Sequence, residues 1–87
     1  MNKPFKISKN IAFEFIDTNI FILNIEDGKY FKLSDSASSI WKEIEKGFTN
    51  DDIKKHLKSK YGENEKIDKD IDETISKFIK LGFILDH

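Results

Sequence analysis

The sequence predicts an α+β fold in which a three-stranded antiparallel sheet is followed by three helices. Three observations carry this expectation. Apolar, β-branched and aromatic residues recur with strand-like patterning as far as Leu33, they switch to helical spacing from Ser34 onward, and glycines punctuate the segments at 28, 47, 62 and 82. A chain of 87 residues makes one domain, and folding at this size buries only about 60 to 65% of the surface exposed by the unfolded chain. A single modest core leaves few apolar residues to support a deep catalytic cleft.

Residues 1–10 mix Lys, Ser, Asn and a Pro with scattered apolar groups and read as a flexible N-terminal arm, with 11–87 forming the domain. Ile11-Ala12-Phe13-Glu14-Phe15-Ile16 alternates as a strand does, with Ile11, Phe13 and Phe15 on one face. After a turn at Asp17-Thr18-Asn19, the nearly continuous run from Ile20 to Ile25 has the character of a central strand. Glu26-Asp27-Gly28 closes a hairpin, because Gly28 tolerates the positive φ that a Cβ resists. The third strand, Lys29 to Leu33, should turn Phe31 and Leu33 toward the helices and Tyr30 and Lys32 away.

Ser34 is the expected N-cap of the first helix, whose apolar positions are Ala37, Ile40, Trp41 and Ile44 and which Gly47 terminates. Thr49 with Asp52 three residues later approximates a capping box, though Glu or Gln is more usual there. Ile53, Leu57 and Tyr61 form the apolar stripe of this second helix. Glu63 to Lys66 reads as a loop, and Asp68 as the cap of a third helix carrying Ile67, Ile71, Ile75, Phe78 and Ile79 on one side. After Gly82, the apolar Phe83-Ile84-Leu85 should fold back on the core.

Composition excludes several function classes. Without cysteine there is no disulfide, thiolate metal site or cysteine nucleophile, which suits a reducing, cytoplasmic setting. No signal peptide or membrane-length apolar segment is present. The net charge is −1 and all 15 basic residues are Lys, so the Arg forks favoured for phosphate and guanine are missing.

Side chains with chemical potential have simpler roles. His56 lies among Lys54, Lys55 and Lys58 and reads as a solvated surface residue, and His87 is a lone terminal one. Asp68, Asp70, Asp72 and Glu73 lack the glycine of a calcium loop and read as the opening turns of a helix, where the macrodipole favours them. Ser34, Ser36, Ser38 and Ser39 have no base or oxyanion arrangement beside them, so capping accounts for them better than catalysis. Trp41 falls at core spacing, and one of Tyr30 and Phe31 should anchor the core. No catalytic, metal or cofactor site is expected.

The ordered series Leu23-Asn24-Ile25, Gly28, Tyr30, Leu33-Ser34, Ala37, Ile40-Trp41, Gly47, Thr49, Ile53, Leu57, Tyr61 and Gly82-Phe83-Ile84 resembles the PqqD-like proteins, also called RiPP recognition elements. The likeness runs from about Ile11 to Ile84 and is densest from Gly28 to Trp41; Ser34 stands where many members have Asn, which also caps helices. It implies a winged helix-turn-helix domain that binds the leader of a ribosomally made precursor peptide, closest to the stand-alone versions in lasso-peptide systems.

By the same resemblance the leader lies between the third strand and the third helix. The floor is then Lys29, Tyr30, Phe31, Lys32 and Leu33, and the wall is Asp70, Ile71, Thr74, Ile75 and Phe78. Side-chain period does not divide Ile71, Ile75 and Phe78 between groove and core. The implied partners are the leader peptide and a modifying enzyme such as a leader peptidase, cyclase or radical-SAM enzyme, with neither nucleic acid nor membrane. A homodimer is a further expectation, from an uncovered strand edge and the apolar Ile20, Ile22 and Tyr30. The competing reading, a winged-helix DNA-binding regulator, puts Asp68, Asp70, Asp72 and Glu73 where phosphates approach, an electrostatic mismatch.

Overall fold

The computed structural model describes residues 5–62 and 65–85. In chain order the elements are β1 (Lys6–Ile7), β2 (Ile11–Ile16), β3 (Asn19–Asn24), β4 (Tyr30–Lys32), α1 (Asp35–Glu45), α2 (Asn50–Tyr61), α3 (Glu65–Lys80) and β5 (Ile84–Leu85). Strands β2, β3 and β4 form an antiparallel meander in that order, and the three helices follow it, giving the winged helix-turn-helix arrangement. Strand β4 lies within the expected Lys29–Leu33, and β3 begins and ends one residue earlier than expected.

A second, two-stranded sheet was not foreseen. Lys6 pairs with Leu85 and Ile7 with Ile84, so part of the segment expected as an arm forms a strand, and Phe5 and Ile7 pack against the core. Residues 1–4, 63–64 and 86–87, and with them His87, lie outside the described residues.

Trp41 sits at the centre of the core with none of its surface exposed. Phe13 and Phe78 each meet it edge-on at 5.4 Å between ring centroids, and Phe83 does so at 6.3 Å. Such edge-to-face contacts add to the burial of large apolar area. Ile20 and Ile22 from β3 are also fully buried, which removes them from the apolar surface expected to support self-pairing. Of the faces named for that role only Tyr30 is exposed.

The helix ends obey local chemistry. The Ser34 side chain accepts from the Ala37 amide and starts α1 as expected. Thr49 and Asp52 complete a reciprocal capping box at α2, with Thr49 Oγ1 accepting from the Asp52 amide and Asp52 Oδ2 accepting from the Thr49 amide, both at 3.2 Å. Asp68 does not cap α3: the helix begins at Glu65, and Asp68 stands in its first turn, 2.8 Å from Lys58 Nζ. Tyr61 is another correction, since at the end of α2 it is 60% exposed instead of completing the apolar stripe.

Two bonds to Thr49, from its backbone first and then its side chain, hold the Asp52 carboxyl below the ordinary aspartate value of 3.8. A carboxyl with a depressed folded-state pKa stabilises the fold fully above its unfolded value, and the contribution disappears as pH falls through the folded value. Asp52→Asn is therefore expected to lower the thermal midpoint at neutral pH. The gap from the parent should close in melts recorded progressively below pH 3.8.

Ser38 is the buried polar residue of the core, and its position explains why a hydroxyl is needed there. Where β3 and β4 begin to separate, Leu33 still donates to the Ile20 carbonyl at 2.9 Å, but the Ile20 amide donates to Ser38 Oγ at 3.2 Å. The serine thus carries the end of the sheet ladder over to α1. Ser38→Ala would leave a buried amide unpaired, and equilibrium denaturation should show a loss of about 1 to 3 kcal/mol.

Candidate peptide-binding groove

The hairpin joining β3 to β4 is set by short-range bonds. Gly28 takes φ 73° and donates to the Asn24 carbonyl at 2.8 Å, while Asp27 Oδ1 accepts from the Lys29 amide at 2.9 Å. This turn fixes the register Phe21–Lys32, Ile22–Phe31 and Leu23–Tyr30. In an antiparallel ladder hydrogen-bonded and non-bonded pairs alternate. The bonds from Asn24 to the Lys29 carbonyl and from Leu33 to the Ile20 carbonyl make 24–29 and 20–33 bonded pairs. Phe31 therefore bonds inward to Ile22. Tyr30 and Lys32 direct their amides and carbonyls away from β3, toward the outer edge of the sheet, and no described strand lies beyond β4.

Side chains on β4 separate as the alternation requires. Phe31 packs against the core and meets Phe83 edge-on at 5.2 Å, and Leu33 is buried. Tyr30 goes to the opposite face, where it stacks on Phe21 at 5.5 Å and donates to Glu14 Oε1 at 2.9 Å. The bond to Glu14 raises the Tyr30 pKa above its ordinary 10.0. Tyr30 thus offers its backbone to the edge and its ring to the far side of the sheet.

Between β4 and α3 runs a groove of about 310 Å³. Phe31, Lys32 and Leu33 form one side, and Thr74, Lys77 and Phe78 the other. Leu81 and Phe83 close one end, while Ser34 and Ala37 border it from α1. The floor is apolar, and the α3 rim carries the exposed Lys77. The turn ending α3 places these closing residues: the Leu81 amide donates to Lys77 and the Phe83 amide to Phe78, both at 2.9 Å, with Gly82 at φ 80° supplying the left-handed residue.

The residues named from the sequence are scattered, and Tyr30 turns its ring to the far face of the sheet, away from the groove. Phe31, Lys32, Leu33, Thr74 and Phe78 border the groove; Asp70 and Ile71 belong to a neighbouring pocket; Ile75 is core, 3% exposed. Lys29 lies at the hairpin, before β4. Sequence reading missed Lys77, Leu81 and Phe83. Helical period could have found Lys77, which lies three residues beyond Thr74 and about one turn along the same side, but Leu81 and Phe83 reach the groove only through the turn at Gly82.

Other clusters offer no competing chemistry. His56 Nδ1 lies 2.6 Å from Glu43 Oε1, and its ring meets Phe48 edge-on at 4.5 Å, so this exposed histidine is tied to a carboxylate and an aromatic ring. In the concavity between α2 and α3, Lys54 pairs with Asp72 and Lys58 with Asp68, which neutralises it as an anion site. Among the described residues no group of acidic or histidine side chains is arranged to hold a metal, and no helix is long and apolar enough to cross a membrane.

An antiparallel wing, three helices and an open strand edge beside an apolar groove define a winged helix-turn-helix unit. The chain belongs to the family of coenzyme PQQ synthesis protein D (PqqD), whose model matches residues 19–84. Two solved structures have the same fold. One is TbiB1 in complex with the TbiA(beta) leader peptide: 22% identity, TM-score 0.87, covering 94% of this chain and 96% of the other. The second is lasso peptide synthetase B1 complexed with the leader peptide: 25% identity, TM-score 0.83, covering 94% and 98%. No curated protein matches the chain.

Proposed function

We propose that this protein is a non-catalytic adaptor that captures the leader segment of a ribosomally made precursor peptide and presents it to a modifying enzyme in the cytoplasm. The observation that carries this reading is the edge of β4, where the Tyr30 and Lys32 backbone groups point outward beside an apolar groove. An extended leader adds to that edge as a fourth strand. Its backbone ladder supplies affinity, and side chains alternating into the groove supply selectivity. Both solved structures of this fold described above are complexes with a leader peptide, which supports a leader as the ligand here.

In this mode Tyr30 and Lys32 act through the main chain, while Phe31, Leu33, Thr74, Phe78, Lys77 and Leu81 receive side chains. Ile75 supports the helix from within. Two or three apolar leader side chains, each contributing about 1.5 to 3 kcal/mol against the cost of ordering the peptide, give affinity of about micromolar to nanomolar. The enzyme that receives the leader is a peptidase, cyclase or radical-SAM enzyme encoded with the precursor.

Backbone amide exchange tests the reading directly. With the synthetic leader of the short precursor frame nearest the gene, the Tyr30 and Lys32 amides should become protected, whereas Phe31, already bonded to Ile22, should change little. Binding that leaves both outward amides exchanging freely would defeat strand addition.

A further inference from the structure

The groove beside β4 does not stop at the end of that strand. A second pocket of about 350 Å³ opens between the starts of α1 and α3 and the end of α2. Ile40, Leu57, Ile67 and Ile71 give it an apolar lining, and its mouth carries Asp35, Ser36 and Asp70. The two cavities are neighbours along both walls. On one wall the chain passes from Leu33, Ser34 and Ala37 at the groove to Asp35, Ser36 and Ile40 at the pocket; on the other, α3 passes from Phe78 and Thr74 to Ile71 and Ile67. Ile71 and Phe78 are seven residues apart, about 10.5 Å along a helix, which an extended peptide spans in about three residues.

Charge differs between the two ends. The groove is rimmed by Lys77, and the pocket by Asp35 and Asp70. Asp35 Oδ1 is held 3.0 Å from Asn19 Nδ2, so its carboxylate is fixed at the mouth. Asp70 and Lys77 are exposed. Aspartates on one helix and at the start of another thus stand on one side of the mouth of an apolar hole, with Tyr61 and the Lys60 ammonium over its ring on the α2 side.

We propose that the peptide bound at β4 continues past Leu33 and seats an apolar side chain in this second pocket, with an adjacent Lys or Arg held at its mouth by Asp70 and Asp35. The inference rests on the reading of the groove as the leader site and adds the chemistry that the site selects: an apolar residue beside a basic one at one end of the recognised segment, and an acidic residue toward Lys77 at the other. Opposed charges at the two ends also fix the direction in which the peptide lies, which an apolar groove and a backbone ladder do less well.

The test is a titration of the labelled protein with the same synthetic leader, followed by amide and methyl shifts, together with two surface variants. Shifts are expected both at 30–33 with 74–81 and at 35–40 with 67–71. Asp70→Lys should weaken binding about three- to fivefold, as expected for an exposed or half-buried charge pair, and a leader with its basic residue changed to Glu should recover the loss. Ser36→Trp, which fills the mouth from an exposed position without touching the core, should abolish the second set of shifts and leave the first. Shifts confined to 30–33 and 74–81, or an affinity unmoved by Asp70→Lys, would overturn the second subsite while leaving the leader reading intact. A leader that produces neither set would overturn the leader reading, and the subsite with it.

Discussion

Lys32→Pro is expected to lower leader affinity by a factor of a hundred or so while the protein stays folded, measured by calorimetric titration and by denaturant midpoint. Position 32 faces Phe21 in a non-bonded pair, so its amide takes no part in the β3–β4 ladder. Proline is tolerated on an edge strand where the missing N–H faces outward. A bound strand would lose a donor and also meet the pyrrolidine ring where its own backbone must approach. Two losses of about 1 to 1.5 kcal/mol each bring the factor to that order. Phe31→Pro is the control with the opposite signature, because its amide bonds Ile22 and its ring packs on Phe83. That change should unfold the wing.

Trp41→Ala should have the largest effect on stability. Its indole is fully enclosed and touched edge-on by Phe13, Phe78 and Phe83, rings drawn from β2, α3 and the segment before β5. Truncation of a buried aromatic costs about 3 to 5 kcal/mol, and a domain of this size has a total stability of roughly 4 to 13 kcal/mol. Calorimetry should show a transition lowered by tens of degrees or lost. Trp41→Phe, which keeps an aromatic ring and also removes an indole Nε1 that has no hydrogen-bond partner among the described residues, should cost markedly less.

Those two residues illustrate what could be read from the sequence and what could not. Helical spacing with Ile40 and Ile44 was enough to place Trp41 in the core, and strict alternation was enough to send Phe31 inward and Tyr30 outward. Ser34, Thr49 and Gly28 announced two helix starts and a hairpin because capping and positive φ are local chemistry. Failures arose where local signals competed or distance intervened. Asp68 is as good a cap as any aspartate, but Glu65 already begins the helix, and Asp68 pairs with Lys58 on α2. The pairing of Lys6–Ile7 with Ile84–Leu85 joins segments almost the whole chain apart, and two-residue strands leave no period to detect.

For the groove, floor and wall both came from the resemblance, and each mixes residues that border the slot with residues that do not: Phe31, Leu33, Thr74 and Phe78 border it, while Lys29 lies at the hairpin and Ile75 is enclosed. Burial on one helix face is graded around the circumference. Only the position of β4 relative to α3 decides which shoulder of that face remains open.

The small sheet made by β1 and β5 has an architectural consequence. Lys6 and Leu85 stand opposite each other in an antiparallel pair, with their Cα atoms about 5 Å apart. Chain entering at one and leaving at the other departs from a single point on the surface, like the two wires of a plug. Ends that lie side by side are the arrangement that lets a folded unit be spliced into an exposed loop without a long tether on either side.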